Sequence, residues 1–152
     1  MSSGKASRAP KKSRRKAREF AVQGLYQWKM TGGDAATILK QLREEKEFPK
    51  IDEEHLAALL HGVISQAQEL DVLMTPYLDR PAGELSPVEH AILLLAAFEM
   101  QRHPEIPYRV VINEAVELAK TYGGTDGHKF VNGVLDKLAA QVRAVEISGV
   151  RG

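Results

Sequence analysis

Basic and aromatic residues interleave near the start of the sequence, in RRKAREFAVQGLYQW at 14–28. Arg14, Arg15, Lys16 and Arg18 are followed there by Tyr26 and Trp28. Guanidinium groups neutralise phosphates, and aromatic rings stack on unpaired bases, so this combination suits a single-stranded nucleic acid. On a helical wheel of about 100° per residue, Ala17, Phe20, Ala21, Gly24 and Trp28 share one side. Arg15, Arg18, Val22, Tyr26 and Lys29 share another. The expectation is one helix that buries its first side in a core and presents guanidinium groups and a phenol from its second.

Charge distribution favours the same chemistry. The 152 residues carry a net charge of only +1, yet residues 1–18 hold eight of the 21 basic residues and none of the 20 acidic ones. That leaves 13 basic against 20 acidic residues over 19–152, a net of −7. A +8 arm on a −7 body implies a localised polyanion site. A merely solvated tail is the bland alternative. Residues 1–12 read as a disordered basic leader.

Other candidate residues lie further along. Asp126, Lys129 and Phe130 stand where a helix should begin, and free N–H groups at a helix start suit phosphate. Periodicity also allows Phe130 to be core and Asp126 to be a plain N-cap, and an acid there would oppose a phosphate. Tyr77 and Tyr108 follow prolines at junctions, where tyrosines serve packing as well as binding. Ser86-Pro87-Val88-Glu89 is a capping box, which predicts that the Glu89 carboxylate turns back to the Ser86 N–H.

Catalytic chemistry is not indicated. There is no cysteine, hence no disulfide, thiolate metal site or cysteine nucleophile. His55 and His61, six apart, fall on different helix faces. No HExxH, GxSxG, P-loop or dinucleotide fingerprint occurs, and GGTDG at 123–127 has no strand before it. The reading is a non-enzyme without cofactor or metal. The longest apolar run, Ala91–Phe98, is too short for a bilayer and no secretory signal opens the chain, so cytoplasmic residence without membrane association is expected.

The elements that must position these residues are all helical. Helices are predicted from about Ser13 to Met30, ended by Gly32-Gly33, and from Asp34, with Ile38, Leu39 and Leu42 inward. A third is capped by Asp52 and stapled by Ile51 and Leu56. The helix opened by Ser86 reaches Arg102 and is apolar nearly all round, which marks it as central. Two more run from Tyr108 to Tyr122 and from Thr125-Asp126 to about Val145. No period-two alternation suggests a sheet. The fold class is all-α: a compact bundle of about seven helices in a single domain over 13–147, with a tail at 148–152.

Four blocks resemble a known family. RRKAREFAVQGLYQW at 14–28, LSPVEHAILLLAAFEM at 85–100, IPYRVVINEAVELAKTYGG at 106–124 and KFVNGVLDKLA at 129–139 are similar, in order, to the bacterial transcription antitermination factor NusB family. The resemblance spans about 12–145. It implies two packed helical subbundles and a protein that pairs with NusE, a small-subunit ribosomal protein. The pair would bind single-stranded boxA RNA in nascent ribosomal RNA transcripts and help build a processive RNA polymerase antitermination complex. It further implies RNA contacts at Arg14, Arg15, Lys16, Arg18, Tyr77, Asp126, Lys129 and Phe130, and NusE contacts at Tyr26 and Glu89. The residues alone leave open whether Tyr26 meets a base or a protein. Family members occur as monomers or self-associate, so a homodimer is compatible with the resemblance.

Three other classes fit parts of the sequence. A related helical domain occurs fused to RNA cytosine methyltransferases, for which a chain of this length leaves no room. A helix-turn-helix DNA-binding module would need a basic exposed recognition helix, whereas Val131–Leu138 is mostly apolar. A helical protein-interaction module with a nonspecific basic arm is the third.

Overall fold

The computed structural model describes residues 13–151; the basic leader, with Lys11 and Lys12, lies outside them. Seven α-helices occur among the described residues: α1 Arg14–Thr31, α2 Ala35–Leu42, α3 Glu53–Met74, α4 Pro87–Arg102, α5 Tyr108–Tyr122, α6 Gly127–Val142 and α7 Ala144–Arg151. Short 3₁₀ turns at Phe48–Lys50, Thr75–Tyr77 and Ala82–Glu84 join them. The described residues form no sheet; a lone parallel bridge ties Ser13 to Ile51 at the start of α1 and α3.

Local chemistry sets the boundaries. Ser13, Asp34, Asp52 and Ser86 each accept a backbone N–H three residues on, from Lys16, Thr37, His55 and Glu89. Each cap satisfies one of the free donors at a helix start. Gly32 and Gly33 both have positive φ, which end α1 in a conformation that other residues adopt at a cost.

α4 is the axis of the molecule. Residues 90–100 of this helix are all buried, and it packs against α1 and α3 on one side and α5 and α6 on the other. That arrangement gives the two expected subbundles, α1–α3 and α5–α7, meeting on α4. At Gly24 a Cβ would come within 2.9 Å of both Ile38 and Leu60, so its absence lets α1, α2 and α3 approach closely. Arg143 fastens the far side. It is buried, and it donates to the carbonyls of Met100 and His103 at the end of α4 while pairing with Glu146.

Three expectations about the elements are corrected. The last long helix stops at Val142, where Arg143 leaves helical geometry to reach Met100, and the separate helix α7 crosses the expected 147/148 tail boundary. Asp126 precedes α6 without a side-chain cap bond. Val22, placed by the wheel beside the arginines, is buried because α1 is covered on more than one side.

Candidate nucleic-acid interface

The N-terminal turns of α1 present basic side chains, but each faces a carboxylate from another element. Arg14 Nε lies 3.4 Å from Asp52 and Lys16 Nζ 3.9 Å from Glu47. Arg15 donates from Nε and Nη2 to the two oxygens of Glu114 on α5, at 3.1 and 2.7 Å. That bond and the charge of Glu114 raise the Arg15 guanidinium above its ordinary value, which leaves it fully charged. Its side chain is 64% exposed, so three N–H donors remain available to solvent or phosphate.

Arg18 is a correction. The wheel and the resemblance placed it with the exposed arginines, yet it is 4% exposed. Its Nε lies 2.9 Å from both oxygens of Glu99 on α4, and Nη1 is 3.8 Å from Glu114. His55 Nε2 completes the cluster, 2.6 Å from Glu99. Burial pushes the Glu99 carboxyl up, but the hydrogen bonds and charges of His55 and Arg18 outweigh it and hold the group below the usual carboxylate range. A buried guanidinium needs such a counter-charge. Arg18 cannot touch a ligand on the surface as α1 stands.

Tyr26 lies on the Arg15 side of α1, eleven residues on, or about 16 Å along the axis. It is 42% exposed. Tyr122, at the end of α5, is a second exposed ring on that side; burial and the charge of Glu19 raise its phenol above the ordinary value. Between α1, α3 and α4 lies a cleft of about 760 Å³ whose wall holds Trp28, Lys29, Asp71 and His90. There Lys29 Nζ is 2.6 Å from His90 Nδ1, and His90 Nε2 is 2.6 Å from Asp71. Among the described residues no group of three His, Cys, Asp or Glu is placed to hold a metal ion.

The remaining candidates gather at the other end of α3. The turn carrying Tyr77 packs on α6, and the rings of Tyr77 and Phe130 are half-buried against the core. The Arg80 guanidinium sits 5.1 Å from the centre of the Phe130 ring and is held by Asp79 at 2.7 and 3.0 Å. Phe130 is therefore both core and surface, and the planar group above it is Arg80, which the sequence did not single out. Asp126 and Lys129 are exposed and lie 3.5 Å apart. Glu89 is also corrected: its carboxylate does not turn to Ser86 but accepts from the Gly124 N–H at 3.3 Å. It occupies space that a side chain at position 127 would fill, since a Cβ there would lie 2.2 Å from Glu89 Oε2. Gly127 thus seats Glu89 between the end of α5 and the start of α6.

The first group stands at the start of α3, which has 22 residues, and the second just past its end. A non-helical Gln66 bends it between them.

The family model described as the NusB family matches residues 15–140. The chain belongs to the NusB family. Its relatives include the transcription antitermination protein NusB of Nitrosospira multiformis, 68% identical over 130 residues that cover 86% of this chain and 82% of that protein. The protein of the same name from Paraburkholderia phytofirmans is 58% identical over 141 residues, covering 93% and 98%. Among solved structures, T. maritima NusB superposes with a TM-score of 0.77 at 31% identity, over 87% of this chain and 94% of that one. A crystal structure of antitermination factors NusB and NusE in complex with dsRNA gives a TM-score of 0.71 at 28% identity, covering 82% and 94%. α4 was readable from the sequence because its Ser86 cap and apolar run are local signals. The ion pairs of Arg18 and Glu114 were not, because they join helices distant in sequence.

Proposed function

We propose that the protein is an RNA-binding transcription antitermination factor that acts with NusE on boxA RNA in nascent ribosomal RNA transcripts, within an RNA polymerase antitermination complex in the cytoplasm. It works by binding, not by catalysis. The observation that carries this reading is the collinear match of nearly the whole chain to proteins named for transcription antitermination. A family structure that holds NusE and RNA together supports the choice of partners.

In this reading the exposed cations Arg14, Arg15 and Lys16 meet phosphates at one end. Tyr77, Lys129 and Phe130 meet RNA at the other, with Asp126 as an acid at that edge. Tyr26 and Glu89 meet NusE. Surface ion pairs contribute at most about 1 kcal/mol, so exchanging Asp52 or Glu47 for a phosphate costs little. Arg18 serves the fold beneath this surface.

The test measures binding of the full chain to single-stranded boxA RNA, a scrambled RNA, double-stranded RNA and duplex DNA, each with and without NusE, across a salt series. Preference for boxA RNA that increases with NusE is expected. Equal affinity for all four with a steep salt slope would leave only a basic arm on a helical interaction module. Glu89→Gln, which keeps the size and the acceptor for Gly124 while removing the charge, should spare RNA binding by the isolated protein and weaken the complex with NusE; an unchanged complex removes the Glu89 charge from that interface.

A further inference from the structure

We infer that Glu114 is an internal stand-in for a phosphate: it occupies Arg15 in the free protein and lowers the affinity of the arginine face for polyanions. The inference rests on the reading of Arg15 as an RNA contact. Two parallel N–H bonds from one edge of a guanidinium to two oxygens are the arrangement in which arginine also grips phosphate. While Glu114 holds the Nε and Nη2 edge, a phosphate is left with the end-on pair of Nη1 and Nη2 N–H donors, beside a carboxylate that repels it. Asp52 and Glu47 make no such grip, since each touches its cation through one longer contact.

Glu114 is also fixed, which separates it from a passing surface partner. Its side chain is 15% exposed, and the buried Arg18 stands 3.8 Å beneath it. Arg18 is itself anchored on Glu99 by two contacts of 2.9 Å. The charges of Glu117 and Glu19 act on Arg15 in the same sense as that of Glu114. Displacing Glu114 carries the same cost for every polyanion. Ligands with only phosphates to offer drop out of the useful range, and an RNA with base contacts elsewhere stays bound.

The variant E114Q keeps the size of the side chain and removes its charge, while Arg18 retains Glu99. Binding of the full chain to single-stranded boxA RNA and to a scrambled RNA of the same composition is followed by fluorescence anisotropy across a salt series. E114Q is expected to bind both RNAs several-fold more tightly at low salt. Its plot of log affinity against log salt steepens by about 0.7, the increment for one added phosphate contact on a single strand. In an R15M background E114Q should have no further effect, which a general loosening of the fold would not produce. E114D, whose shorter arm withdraws from Arg15 but keeps its charge near Arg18, should tighten binding less, and it carries the test if E114Q fails to fold. Unchanged or weaker RNA binding by E114Q, alongside weaker binding by R15M, overturns the inference and leaves the RNA reading standing. No effect of R15M overturns the assignment of Arg15 itself.

Discussion

Asp126 is an acid at an edge otherwise suited to RNA. It makes no cap bond, its side chain is 73% exposed, and its nearest charge is Lys129 at 3.5 Å. An exposed pair of this kind adds little stability. Its effect on a ligand is larger, because the carboxylate both repels a phosphate and occupies the ammonium that would meet one. Asp126→Asn should therefore leave the melting temperature nearly unchanged and strengthen RNA binding in a filter or fluorescence assay. Unchanged or weaker binding would mean that no phosphate approaches this edge. Phe130 calls for a different argument, since Arg80 covers its outer face. A base arriving there meets a guanidinium plane first, and such planes stack bases as aromatic rings do.

At the scale of elements, α4 combines an apolar surface with one buried acid, and that acid joins it to two other helices. Glu99 is 1% exposed and meets Arg18 of α1 and His55 of α3. Removing one member of a buried pair leaves the other charge uncompensated, which costs about 3–5 kcal/mol. Glu99→Gln is expected to lose stability of that order in denaturant unfolding at neutral pH. The pH dependence follows from the direction of its shift. The folded carboxyl lies below its ordinary value of 4.5, so its contribution is complete above that value and fades as the pH falls through the folded pKa. The stability gap between wild type and Glu99→Gln should therefore be constant above about pH 5 and narrow below 4.5. A gap independent of pH would mean that folding leaves the Glu99 carboxyl at its ordinary value. Helix limits were legible in the sequence because caps, glycines and apolar spacing are local signals. Arg18 was misplaced because its partner lies 81 residues away. A wheel drawn for one helix cannot register a counter-charge delivered by another. The Glu89 capping box failed for a related reason: the Gly124 N–H, 35 residues on, competes for the same carboxylate.

The whole molecule sets the two basic and aromatic groups at opposite ends of α3. A ligand that engages both must be long enough to span that distance, and the second contact then forms at the high effective concentration set by the first. A ligand too short to span it gains from one end only. RNA length should therefore govern which substitutions matter. For a boxA RNA long enough to reach both ends, R15M and F130A should each weaken binding, and the aromatic loss should be about 1–3 kcal/mol if Phe130 and Arg80 together stack a base. As the RNA is shortened from one terminus, one of the two substitutions should lose its effect before the other; shortening from the opposite terminus should reverse the order. That reversal fixes the polarity of the strand along the bundle, with Tyr26 between the two ends on the side of Arg15. Anisotropy titrations with the two truncation series and the two variants suffice to read it. If both substitutions lose their effect together, at one length and from either terminus, the RNA does not run between these ends, and the site must be rebuilt around one of them.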